Sequence, residues 1–164
     1  MSALSSGKTA PSISLPTVEG NKVSLADALA KGPVLAAFFK VSCPTCQFTF
    51  PFLERMYEMF GGGNFTFWAI SQNDAEDTRS FAEKYGVKFP ALLDEKGYPV
   101  SNQFGLTNVP TMFLIGQDGT IQVTSVGFSK PDLEQIAAAA ARATGKPAVP
   151  LFKSGEAVPE YKPG

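Results

Sequence analysis

Hydrophobic positions along this chain change period several times, and each change predicts an element. Ile13 and Leu15 alternate with serines, and Val23 follows the polar turn Glu19-Gly20-Asn21, so residues 13–23 predict a short β-hairpin. Ser24-Leu25-Ala26-Asp27 has the form of a weak capping box and predicts a helix to about Ala30, ended by Gly32-Pro33. Residues 34–40 form an apolar run of strand length without alternation, as expected of a parallel strand covered on both faces. A helical pattern then runs to about Phe60, with Phe52, Leu53, Met56 and Phe60 on one face. Pro51 lies inside that helix, where the missing N–H predicts a kink, and Gly61-Gly62-Gly63 ends it.

Residues 65–71 predict the next strand. Strand, helix and strand in this order predict a right-handed βαβ unit and a parallel sheet. Ser71-Gln72-Asn73-Asp74 caps a helix to about Tyr85, with Thr78, Phe81, Ala82 and Tyr85 on one face. An extended stretch 88–93, a turn 94–97 and a short helical segment 100–104 follow. Residues 111–115 and 121–126 predict a hairpin around Gln117-Asp118-Gly119. Pro131 suits the first turn of a last helix, whose core face is Leu133, Ile136, Ala137 and Ala140. The predicted organisation is a flexible N-terminus (1–10), one α/β domain (11–145) and an extended tail (146–164) rich in proline. Leu151 and Phe152 are the residues that can dock that tail, and Pro147-Ala148-Val149-Pro150 matches a P-x-x-P ligand only formally.

Composition narrows the classes. At 164 residues with 44% hydrophobic residues and fourteen Phe, the chain can build one substantial core. A net charge of −1 gives no argument for nucleic acid or an anionic membrane as partner. No run approaches the roughly eighteen apolar residues of a membrane span. The first nine residues lack the apolar stretch of a signal peptide, so the chain as it stands reads as cytoplasmic. A periplasmic or exported protein whose signal or anchor had been removed would read the same way. With no histidine, Ser–His and Cys–His hydrolase triads and histidine metal sites are excluded.

The candidate chemistry sits where the run 34–40 ends. Cys43 and Cys46 are the only cysteines, spaced C-x-x-C as Cys43-Pro44-Thr45-Cys46, and a helix begins at once behind them. A helix N-terminus carries partial positive charge and free N–H groups, so a thiolate there is stabilised. The thiolate is the attacking species in disulfide exchange. Cys43 would attack from the exposed helix start, and Cys46, on nearly the same face, can close back onto it. An inert structural disulfide or half a zinc site are the alternatives. Zinc normally takes four ligands, so a full site would need carboxylates or a second subunit, and structural disulfides usually close longer loops.

These residues resemble the thioredoxin-like superfamily. The C-x-x-C follows an apolar strand, Pro51 lies eight residues after Cys43, and Val109-Pro110-Thr111 precedes an apolar strand as the cis-proline loop of that family does. Gly7-Lys8-Thr9-Ala10-Pro11 and Phe89-Pro90-Ala91-Leu92-Leu93-Asp94 look like its TlpA/ResA or redoxin (AhpC-TSA) branch. The resemblance covers about residues 7–145. It implies a thioredoxin-like fold: a central mixed β-sheet flanked by helices, with an N-terminal β-hairpin and an insertion before the cis-proline loop. It implies a thiol–disulfide oxidoreductase in which Cys43 attacks a substrate disulfide and Cys46 resolves the mixed disulfide; work as a reductant is the expected direction, the reverse runs through the same intermediate, and the reduction potential rather than the motif decides between them. Pro44, Thr45, Val109, Pro110 and Thr111 are the implied substrate-binding residues, with the Val109 backbone pairing an extended segment. No cofactor beyond the Cys43–Cys46 redox pair is implied, and no metal. The implied partners are protein or small-molecule disulfides and thiols, plus a separate redox partner that resets the pair.

Three positions depart from the pattern. Ser42 stands where many relatives carry Trp, Ala37 where thioredoxin has a buried Asp, and Lys40 closes an apolar strand. Lys40 is a candidate for holding the Cys43 thiolate, with a snorkelling surface lysine as the alternative. Two rival functions remain. A peroxiredoxin-like thiol peroxidase needs a Thr three residues before its cysteine, where Lys40 and Cys43 stand here, and an assisting Arg, of which the chain has only Arg55, Arg79 and Arg142. A non-catalytic binding module would use the groove beside Pro110 without turnover.

Overall fold

The computed structural model describes residues 2–164. The N-terminal hairpin is β1 (Ser14–Pro16) against β2 (Lys22–Ser24). Ser24 caps α1 (Leu25–Leu29) by accepting a hydrogen bond from the Asp27 N–H at 3.2 Å. The apolar run becomes β3 (Val34–Phe39), and α2 (Pro44–Phe60) follows, unbroken across Pro51. Next come β4 (Thr66–Ser71) and α3 (Ala75–Tyr85), the latter capped by Asp74 and ended by Gly86 in the left-handed region. The chain then forms β5 (Ala91–Leu93), α4 (Pro99–Gln103), β6 (Thr111–Ile115), β7 (Ile121–Val126), β8 (Phe128–Ser129), α5 (Lys130–Thr144) and β9 (Tyr161–Lys162).

The central sheet has five strands in the order β5-β4-β3-β6-β7. β3 pairs β4 in parallel and β6 antiparallel, so the strand feeding the cysteines is the middle of a mixed sheet. Period-two side-chain alternation splits β3 between two cores. Leu35, Ala37 and Phe39 face a core with α2, α3 and α5, while Val34, Ala36 and Phe38 face one with the N-terminal segment, α1 and α4. Phenylalanines fill both. Phe39 lies between Phe50 of α2 and Phe81 of α3, with ring centroids 4.6 and 4.7 Å away in tilted packing, and Phe38 packs on Phe104 and Phe113. These contacts fix α2 against the end of β3 and so locate its N-terminus.

Both ends of the chain differ from the loose segments expected. Met1 lies outside the described residues. Residues 4–10 run beside β7: the Gly7 N–H donates to the Ile121 carbonyl at 2.8 Å, the Ala10 N–H to the Gly119 carbonyl at 2.9 Å, and the Leu4 carbonyl accepts from the Thr124 hydroxyl. The tail is docked as Leu151 and Phe152 suggest, both buried in the α2/α5 core. It then returns along the domain as β9, antiparallel to β8.

Candidate active site

Cys43 is the N-cap of α2, in extended backbone just before Pro44. Its sulfur accepts the Cys46 N–H at 3.2 Å, taking the place of the oxygen that usually caps a helix. The loop that presents it is pinned from both sides. The Val41 N–H donates to Asn73 Oδ1 at 3.0 Å, and Gln47 Nε2 donates to the Val41 carbonyl at 2.9 Å. The Cys43 N–H itself donates to the Lys40 carbonyl at 3.2 Å.

The two cysteines differ sharply in environment. Cys43 is half-buried, whereas Cys46 has 0% of its surface exposed and lies in the phenylalanine-rich core with Phe50. Burial pushes the Cys46 thiol far up from its ordinary range, and its hydrogen bond with Cys43 pushes it further. Both thiols are unbridged. Ala37, at the thioredoxin Asp position, is buried in the same core and offers Cys46 no carboxylate.

The Val109–Pro110 peptide is cis and faces the pair. The Val109 carbonyl accepts from Cys43 Sγ at 3.4 Å. Thr111 begins β6 opposite Phe38, and its hydroxyl donates to the Asn108 carbonyl at 2.8 Å. Thr111 is fully buried, so it braces the loop and presents no atom to a substrate. Thr45 is also buried, with its hydroxyl donating to the Pro163 carbonyl at 2.6 Å. Cys43, Pro44 and Val109 instead line an open cleft of about 440 Å³, together with Lys40, Tyr98 and Asn108. The Lys40 ammonium lies 5.7 Å from the Tyr98 ring centroid on the rim of this cleft.

Sequence reasoning missed Asn73, Gln47 and Tyr98, and the segment 163–164, which reaches the cleft at Gly164. No sequence pattern marks them: Asn73, Tyr98 and the segment 163–164 act across a long sequence separation, and Gln47 reaches back six residues to a loop carbonyl that no motif announces. Among the described residues, no group of three or more His, Cys, Asp or Glu is placed to hold a metal, and no helix is long and apolar enough to cross a membrane. Of the arginines a peroxidase would need, Arg55 is bound to Glu156 and the Leu151 carbonyl, and Arg79 to the Val18 carbonyl.

Comparison with known proteins agrees with this geometry. The chain is 32% identical over 136 residues to the thioredoxin-like protein YneN of Bacillus subtilis, covering 79% of this chain and 76% of that one. It is 31% identical over 125 residues to the thiol-disulfide oxidoreductase ResA of Bacillus thuringiensis, covering 74% and 69%. A thiol:disulfide interchange protein from Bacteroides sp. superposes with a TM-score of 0.71 at 25% identity, covering 88% of this chain and 93% of that one. The model of the AhpC/TSA family matches residues 6–124, and with its mixed five-stranded sheet and C-x-x-C helix start, the chain belongs to the AhpC/TSA family with a thioredoxin-like fold.

Proposed function

We propose that this chain is a thiol–disulfide oxidoreductase in which Cys43 is the attacking and Cys46 the resolving residue, working as a reductant of disulfides in proteins. The observation that carries this reading is the sulfur that caps α2. Cys43 Sγ sits at the N-terminus of a seventeen-residue helix and receives the Cys46 N–H, while Cys46 is buried directly behind it. Negative charge on that sulfur meets the helix N-terminus and an N–H donor.

The exchange balances in two steps. Cys43 thiolate attacks one sulfur of the substrate disulfide, forming a mixed disulfide and releasing the first substrate thiol with a proton from solvent. Cys46 gives up its proton and attacks Cys43 Sγ, forming the Cys43–Cys46 bond and releasing the second thiol. Two electrons pass from the protein dithiol to the substrate, and a separate dithiol must return them. Pro44, Val109 and Pro110 border the sulfur and orient the incoming segment. Lys40, on the same cleft, adds positive charge near the anionic sulfur. The peroxidase reading has no Thr before Cys43 and gains no arginine at this site.

The test combines two measurements. Thiol trapping across a defined thiol/disulfide buffer series is expected to give a reversible Cys43–Cys46 bond near thioredoxin's potential of about −270 mV; a value toward about −120 mV would reverse the direction to oxidation. Cys46→Ser is expected to accumulate the mixed disulfide, and Cys43→Ser none. If no reversible bond forms at any poise, the oxidoreductase reading is wrong.

A further inference from the structure

The tail divides into an anchor and a tip of opposite character. In the anchor, Leu151 and Phe152 are buried, with Phe152 5.2 Å from Phe52. Arg55 grips Glu156 through both guanidinium nitrogens at 2.8 and 2.9 Å and holds the Leu151 carbonyl at 3.0 Å. The Arg55 hydrogen bonds hold the Glu156 carboxyl down at about 2, so this clamp stays charged at physiological pH. In the tip, residues 159–164 are all exposed. The tip is held mainly through its main chain. The Lys130 N–H donates to the Glu160 carbonyl at 2.9 Å, Tyr161 and Lys162 pair with Ser129 and Phe128, and Thr45 donates to the Pro163 carbonyl.

The tip lies against the loops that flank Cys43. It crosses from β8 to the start of α2 and ends against the Val109 carbonyl, the acceptor of the Cys43 thiol. Two glycines permit this approach. A methyl group at Gly127 would sit 2.7 Å from the Lys162 carbonyl oxygen, and one at Gly164 would run into the Val109 carbonyl. Gly127 also has φ +77°, which glycine adopts without strain. The strip formed by Thr45, Val109 and Gly127–Phe128 is therefore already covered by an extended segment paired through its backbone.

We infer that residues 160–164 are an intramolecular pseudo-client: they occupy the strip that an extended polypeptide must take to bring its disulfide to Cys43, and such a client must displace them. This rests on the oxidoreductase reading and deepens it, because it assigns the strip beside Cys43 to extended protein segments as the substrate class. A tethered segment competes at an effective concentration on the order of millimolar. The buried anchor keeps the tip local, and the exposed tip can peel away without opening the core. The tip also suggests what a client offers: a main-chain carbonyl for Thr45, and a basic side chain where the Lys162 ammonium lies 5.4 Å from the Phe48 ring centroid.

The test follows oxidation of the reduced protein by two probes, in the full chain and in a variant ending at Pro159. One probe is bis(2-hydroxyethyl) disulfide, which needs only access to the sulfur. The other is a ten-residue peptide dimerised through a central cysteine, which also needs the strip. Removing the tip is expected to raise the peptide rate at low peptide concentration roughly five- to fiftyfold, the range for releasing a few exposed hydrogen bonds. The small-probe rate should change less than twofold. A free peptide of residues 157–164 is expected to slow the shortened protein's reaction with the peptide probe. Lys162→Pro in the full chain weakens β9 pairing and should act in the same direction, which keeps the test decisive if the shortened chain fails to fold. Unchanged or slower peptide exchange in these variants overturns the inference, as does equal acceleration of both probes. If neither probe oxidises any form, the oxidoreductase reading fails and the pseudo-client with it.

Discussion

The contrast between the two cysteines gives a prediction that can be worked from the structure. Alkylation of reduced protein by iodoacetamide should strike Cys43 first and leave Cys46 protected. Cys46 has no exposed surface, so its sulfur reacts only after the first turn of α2 opens. That opening breaks the Gln47 N–H bond to the Cys43 carbonyl, the Thr49 and Thr45 hydroxyl bonds to the carbonyls of Thr45 and Pro163, and the Gln47 side-chain bond to Val41. At about 1 kcal/mol net for each, the opening costs about 4 kcal/mol. With tenfold per roughly 1.4 kcal/mol, Cys46 should label about 10³ times more slowly than a freely exposed thiol of equal reactivity. Burial raises the Cys46 thiol as well, which adds to the protection.

The assay is timed alkylation at pH 7.5, followed by mass spectrometry of the peptides that separate the two cysteines. Labelling in guanidinium supplies the unfolded reference. Equal labelling of the two cysteines in the native protein, or faster labelling of Cys46, would refute both the burial argument and the assignment of Cys43 as nucleophile. The same burial sets a pH dependence of stability. Folded Cys46 keeps its proton at a pH where the unfolded thiol, near about 8.5, has begun to lose it. The unfolded state is therefore favoured progressively as pH rises above that value. Denaturant midpoints should fall between pH 8 and pH 10, and Cys46→Ala should flatten that part of the fall.

Two further substitutions test separate parts of the structure. Glu54 is buried on α2, where Oε1 accepts the Lys88 N–H at 2.7 Å and Oε2 has no hydrogen-bond partner among the described residues. Burial pushes its carboxyl up, and the Glu58 carboxyl adds to that push, so its stabilising contribution is present at low pH and is lost as pH rises above the ordinary carboxylate range. Glu54→Gln keeps the acceptor and removes the buried charge; it should raise stability at pH 7 by about 1 kcal/mol, or about 2–4 °C in Tm, with little gain at pH 4. A loss of stability at pH 7 would show that the charged form is the stabilising one. Lys40→Met should slow Cys43 alkylation two- to fivefold at low ionic strength, with the difference shrinking in about 0.5 M salt; an unchanged rate would confine Lys40 to its contact with Tyr98.

What the sequence made legible is what local physics writes into adjacent residues. The unbroken apolar run of β3 reads as a doubly covered strand because it lies in the middle of the sheet, and both its faces meet a core. Ser24 and Asp74 announce helix starts because capping needs a short polar side chain within three residues of the N–H it serves. The C-x-x-C is legible for the same reason, since the sulfur of its first member caps the helix by accepting the N–H of its second. What escaped was built from long-range contacts, backbone pairing above all, which no local pattern encodes. Residues 4–10 look loose because they are rich in Ser, Gly and Lys, yet their amides and carbonyls bond to residues 119–121 and 124.

The tail is the sharper case. Its composition, with prolines at 147, 150, 159 and 163, argues against secondary structure, and only Leu151-Phe152 signals docking. The rest of its path depends on an Arg55–Glu156 pair 101 residues apart and on strands of two residues, too short to show a period. A two-residue strand is also too short to hold by itself. The place of Gly164 against the Val109 carbonyl therefore depends on the anchor that delivers the segment. A weak contact delivered by a strong anchor is displaceable while remaining local, and this combination distinguishes a groove that an extended client can clear from one permanently closed.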